Sequence, residues 1–148
     1  MIWEIEVVKI LASSVVGYFV GNRAAKVKDK RTRTNERIRE GIKLIRETSD
    51  EATKYFTNTL EARERSASCA VIMSSMKRIA FDLCKVAECC SHDQKYFSKE
   101  WRRFFDAVTS EPFGSDTIDI VNHNHNCIRI IQEAEKFLVE RLSALEDN

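Results

Sequence analysis

Proline occurs once in 148 residues, at Pro112, and glycine only four times. Both residues interrupt regular structure, proline because it lacks an amide donor and glycine because of the entropy it loses on ordering. Their scarcity excludes a chain built on many tight turns and leaves helix with few breaks. Alternation of apolar and polar residues over a strand length is also missing, and no repeat of roughly 20 to 50 residues recurs. Net charge is nearly absent: 24 Lys/Arg stand against 23 Asp/Glu, a formal +1. The chain is therefore neither globally basic nor globally acidic. The glycines are isolated, so no Gly-rich phosphate loop can form. The five cysteines, Cys69, Cys84, Cys89, Cys90 and Cys127, are odd in number and lack framework spacing, which predicts reduced thiols rather than a disulfide scaffold.

What is present is concentrated at the start. Residues 1–6 read Met-Ile-Trp-Glu-Ile-Glu, residues 7–20 carry Lys9 as their only charge, and residues 23–39 hold eight Lys/Arg against Asp29 and Glu36. An apolar segment with an acidic front and a basic back reads as an oriented membrane anchor. From Trp3 to Arg23 a helix would cover about 30 Å, the thickness of a bilayer core. The expected organisation is a membrane anchor over 1–22 and a helical bundle over 23–148 that opens with a basic collar, 23–39. The positive collar orients the anchor with Met1 outside and the bundle in the cytoplasm, as a single-pass protein. The uninterrupted apolar run, Ile10 to Gly21, is only 12 residues long, against ~20 for an ordinary span. A buried core helix and a surface-lying amphipathic helix are therefore the alternatives. A cleaved secretory signal is not expected, because it needs a basic front.

Inside the apolar segment Ser13, Gly17 and Gly21 fall four residues apart. Small residues on one stripe of a membrane helix let two backbones approach, so these three are the expected helix-association positions. Behind them Arg23, Lys26, Lys28, Lys30 and Arg31 are the expected contacts to lipid headgroups, each worth about 1 kcal/mol near an anionic surface. Nucleic acid is not the expected partner, because the collar contains no aromatic residue for base stacking.

The remainder reads as helices. Ile38, Ile42, Ile45, Ser49, Ala52, Phe56 and Leu60 recur at near-heptad spacing, which predicts one long helix to about Ala62 with a weak point at Thr48-Ser49-Asp50. A second stripe, Cys69, Ile72, Met73, Met76, Ile79, Ala80, Leu83, Ala87 and Cys90, predicts a helix from about Ala62 to Cys90. Ser91-His92-Asp93 breaks it. Phe97-Ser98 reads as an apolar residue before a cap, opening a short helix through Trp101, Phe104, Phe105 and Val108. Residues 111–115 are the clearest loop. Asp116 can cap a last helix to about Leu145, with Val121, Ile128, Ile131, Ala134 or Glu135, Leu138 and Leu142 on its apolar face. The fold class is all-α: an N-terminal transmembrane helix continuing into an antiparallel bundle of about four helices. Cys69, Cys84 and Cys90 are expected as buried packing residues.

Chemistry-bearing residues are sparse. Cys89, His92, His123 and Cys127 have spacings that can build a tetrahedral zinc site between two helices. Cys90 fits the core stripe better than Cys89, however, and no His-Glu-x-x-His or Cys-x-x-Cys pattern supports the set, so no metal and no cofactor is expected. No nucleophile–histidine–carboxylate arrangement stands out either, and the glutamates lie on charge-mixed helical faces, so no catalytic residue is assigned.

The run Gly17-Tyr18-Phe19-Val20-Gly21-Asn22-Arg23-Ala24-Ala25, followed by Asp29-Lys30-Arg31 and Asn35, resembles the start of a group of small uncharacterised bacterial proteins with an N-terminal membrane helix. Phe97 to Ala107 is loosely similar to their Arg- and aromatic-rich helix. The resemblance implies a bacterial inner-membrane helical protein and no particular activity. The functional expectation is a non-enzymatic, membrane-anchored interaction protein that docks a partner or self-associates. The alternatives are a soluble helical binding module whose apolar first helix is buried in a complex, and a metal-binding or enzymatic helical protein.

Overall fold

The computed structural model describes residues 2–110, 113–114 and 125–146, with the backbone alone described for 2–19. It is all-α, with four helices and no strand among the described residues: α1 (Ile2–Thr57), α2 (Ala62–Cys89), α3 (Ser98–Val108) and α4 (Asn126–Ser143). The chain divides into two compact units, Met1–Asn35 and Glu36–Asn148.

In the second unit the stripe expected on α1 is buried at Ile38, Ile45, Ser49, Ala52 and Phe56, while Ile42 is half-buried and Leu60, also half-buried, lies beyond the helix. Ile38, Gly41, Ile45, Thr48, Ala52 and Tyr55 are buried at alternating steps of three and four, the a/d pattern of a helix that packs on other helices. The expected weak point does not interrupt the helix. Thr48 and Ser49 are buried, and the Thr48 hydroxyl donates to the Leu44 carbonyl at 2.7 Å, so a polar side chain enters the core with a partner. α1 ends at Thr57, one turn before the expected Ala62. The amide of Glu61 donates to the Glu64 carboxylate at 3.1 Å, and that charge at the start of α2 favours a new helix over continuing the old one.

The four helices share one core, with Ile72, Met76, Ile79, Leu83, Val86 and Ala87 of α2, Phe104 and Val108 of α3, and Ile128, Ile131, Ala134, Leu138 and Leu142 of α4. Side-chain partners give the directions. Tyr55 lines a cavity with Ala62, Ser66 and Met73, while Lys85 lies in the field of Arg37, so α2 runs antiparallel to α1. Arg103 pairs with Glu133 at 3.6 Å and Arg141 lies over the Tyr96 ring at 4.1 Å, so α4 runs antiparallel to α3. Arg39 binds Glu146, bringing the far end of α4 to the entry of α1 into the bundle.

Several expectations are corrected. Cys84 is exposed and Cys69 and Cys90 are half-buried; Cys84 lies one residue past Leu83, about 100° around the helix from the stripe. Phe97, not Ser98, holds the cap position of α3, and it is itself buried. α4 is capped by His125, whose side chain accepts from the Cys127 amide. Asp116, Val121 and His123 lie outside the described residues. Among the described residues no helix is long and apolar enough to cross a membrane. The span expected at 1–22 is thus not supported, consistent with an apolar run of 12 residues bordered by Glu4, Glu6 and Lys9 where ~20 are the norm.

Candidate functional site

The first unit presents the most distinctive surface. From Val20 to Arg33 every residue is exposed, although Val20 and Val27 are apolar, at 63% and 65% exposure. Helix continues through this stretch because it lacks proline and is rich in Ala, Lys and Arg, which lose little on becoming helical. The Thr32 and Thr34 hydroxyls donate back to the Lys28 and Lys30 carbonyls at 3.0 and 2.9 Å, which removes the competing donors that threonine brings to a helix. Arg33 pairs with Asp29 at 3.0 Å. The expected lipid-contact residues, Arg23, Lys26, Lys28, Lys30 and Arg31, are all exposed. Val20, Arg23, Ala24, Val27, Lys28 and Arg31 together line one shallow, open surface.

Of the expected helix-association positions, Ser13 and Gly17 lie outside the residues whose side chains are described. At Gly21 an added Cβ would meet nothing within 4 Å, so a side chain there would displace nothing described in the unit.

The second unit holds a cavity of about 280 Å³ lined by Tyr55, Ala62, Arg65, Ser66, Cys69, Ala70, Met73 and Gly114. The Tyr55 hydroxyl accepts from the Gly114 amide at 3.0 Å, and its ring packs on Phe113 with centroids 5.1 Å apart. Arg65 donates to the Leu60 carbonyl at 3.2 Å. Among the described residues no carboxylate or imidazole lines this cavity.

Among the described residues, His92 and Cys89 lie at the end of α2 and His125 and Cys127 at the start of α4. His92 stacks on Tyr96 with centroids 4.0 Å apart, and its backbone amide closes the end of α2 on the Ala87 carbonyl at 2.8 Å. Cys89 is half-buried near that end. The Cys127 sulfur lies 3.1 Å from His125 Nδ1, a residue that sequence reasoning left aside; its place before an apolar periodic stretch was the available signal. Burial pushes the Cys127 thiol above its ordinary value, while backbone hydrogen bonds act in the other direction. A thiol held in that state is a poor nucleophile at neutral pH. Among the described residues no group of three or more His, Cys, Asp or Glu is placed to hold a metal ion.

No protein family, curated protein or solved structure matches this chain. Function must therefore be argued from the surfaces themselves. Two features stand out among the described residues: an exposed basic stretch of helix in one unit and the cavity lined by Tyr55, Arg65, Ser66 and Cys69 in the other.

Proposed function

We propose that the protein is a non-enzymatic interaction protein anchored at a membrane through the apolar first part of α1, with the bundle docking a partner or a second copy. The observation that carries this reading is the exposed stretch Val20 to Arg33, whose basic and apolar residues follow directly on the apolar segment. A cationic helix immediately behind an apolar one is drawn to anionic headgroups by about 1 kcal/mol per Lys or Arg near the surface. It also orients the segment with Met1 outside and Asn148 in the cytoplasm.

The test is fractionation followed by carbonate washing, with topology read by an impermeant thiol reagent on a cysteine placed at the C-terminus. The anchored reading expects retention in the washed membrane and no labelling in intact cells. Release by carbonate, or labelling from outside, refutes it.

A second reading is favoured by one observation: among the described residues no helix is long and apolar enough to cross a membrane. In it the protein is a helical binding module whose first helix is buried against another protein. That reading expects the chain in the carbonate wash, recovered as a stoichiometric complex.

A further inference from the structure

The outward face of α2 differs from that of α1. Between positions 43 and 50 of α1 the exposed residues are Lys43, Arg46, Glu47 and Asp50, all of them charged. On α2 no charged residue occurs from Ser66 to Met76, in a chain that holds 24 Lys/Arg and 23 Asp/Glu. Ser66, Ala67, Ala70, Val71 and Ser74 are nevertheless exposed there, and Phe81 follows at 60% exposure. The water-facing side of a bundle helix is ordinarily charged or polar. This one joins small uncharged residues to one large ring, with Arg63 and Glu64 at its first end and Lys85 and Glu88 at its last.

We propose that this face is where two copies of the chain meet, their α2 helices packed antiparallel about a two-fold axis. Charge complementarity selects the second copy. The register that overlaps α2 over its whole length sets Ala62 opposite Cys89 of the second copy. The exposed residues of the face then pair as Arg63 with Glu88, Ala67 with Cys84, Ala70 with Phe81 and Ser74 with Lys77, and the two-fold repeats every pair. Opposite charges meet at both ends, and the Phe81 ring lies over the small Ala70. Along the edge of the contact Glu64 falls beside Lys85 of the second copy. The Lys85–Glu88 ion pair, at 2.8 Å, thus gains an opposite charge at each member. In a parallel pair Arg63, Lys77 and Glu88 would each face its own counterpart, and like charges at such positions reject a pairing. The face suits a bilayer poorly: apart from Phe81 and Val71 its apolar residues are small, and Glu64 and Glu88 are repelled by anionic headgroups. The proposal concerns the second unit alone. It rests on the reading of the bundle as a docking module and names what the bundle docks.

The test uses the full-length protein in detergent. Sedimentation should show a reversible monomer–dimer equilibrium. Phe81→Asp should weaken the dimer at least about tenfold. Arg63→Glu should also weaken it, and adding Glu88→Arg should restore it. These side chains are exposed, so the far-ultraviolet circular dichroism of the variants should match that of the parent. Under mild oxidation Ala67→Cys should form a disulfide between position 67 and Cys84, read by peptide mass spectrometry. Within one helix those positions lie about 26 Å apart, beyond the reach of a disulfide, so the bond can form only between copies. Alkylation of Cys84, fast in the dilute monomer, should slow as the protein concentration rises. A monomer at every concentration overturns the proposal, as does a dimer indifferent to Phe81→Asp, which places association elsewhere. A disulfide between the Cys84 residues of two copies shows a parallel pair and also overturns it. So does crosslinking of Cys84 to a different protein in intact cells without the 67–84 product. Carbonate extraction of the same variants is read separately, so a failed dimer result leaves the anchoring reading standing.

Discussion

Replacing Ser91 by glycine should stabilise the bundle by about 0.5–1 kcal/mol. Ser91 has φ 60°, the left-handed region that an L side chain enters at a cost of roughly 1–2 kcal/mol. It is held there by the way α2 stops. Past the cap residue Cys90, the Ser91 amide donates to the Glu88 carbonyl at 3.2 Å and the His92 amide donates to the Ala87 carbonyl at 2.8 Å. This pair of bonds closes many helices, and glycine normally occupies the left-handed position because it has no Cβ to crowd the carbonyl. Glycine removes that crowding but adds freedom to the unfolded chain, worth about 0.5–1 kcal/mol against it, and the difference leaves the net gain stated. With a urea dependence of roughly 1–3 kcal/mol per molar, the unfolding midpoint should rise by about 0.2–1 M with an unchanged slope. Ser91→Ala keeps the Cβ and should not produce the gain. Ser91→Val should lower the midpoint, because a β-branched side chain fits this region worst. If Ser91→Gly is no more stable than Ser91→Ala, strain at the end of α2 is not what limits the bundle and the reasoning fails.

Tyr55→Phe removes the acceptor of the Gly114 amide and should cost about 1 kcal/mol, seen as a lower unfolding midpoint; an unchanged midpoint would show that water replaces the bond at no cost. Gly41→Ala should raise stability by up to about 1 kcal/mol, because the position lies inside α1 and an added Cβ meets nothing within 4 Å; a fall in melting temperature would contradict this. Among the five thiols, exposed Cys84 should react fastest with an alkylating reagent. Cys127 should need a higher pH than a free thiol, since burial raises its pKa; mass spectrometry after timed labelling reads both rates, and fast labelling of Cys127 near neutral pH would refute its desolvation.

The sequence by itself determined the helical class, the start of α2 at Ala62 and most of the buried faces. Ile38, Ile45, Ala52, Ile72, Met76, Ile79, Leu83, Ile128, Ile131, Leu138 and Leu142 all lie where their spacing puts them. Burial of a helical stripe repeats with the helical turn, so it is written locally. The basic collar was equally legible, because exposed charge needs no partner to be recognised. What only the tertiary structure decided depends on which neighbour covers which face. The half-burial of Cys69 and Cys90, the exposure of Cys84 and the core position of Phe97 differ from the expected stripes by one residue or less, which periodicity alone cannot resolve. Tyr55 shows the same limit from the other side. Its ring is buried and its hydroxyl accepts from Gly114, 59 residues away, a contact that no local pattern encodes. The stripe of α1 from Ile38 was visible, but that Gly41, Thr48 and Tyr55 are buried with it while Ile42 is only half-buried follows only from where the other helices of the second unit pack.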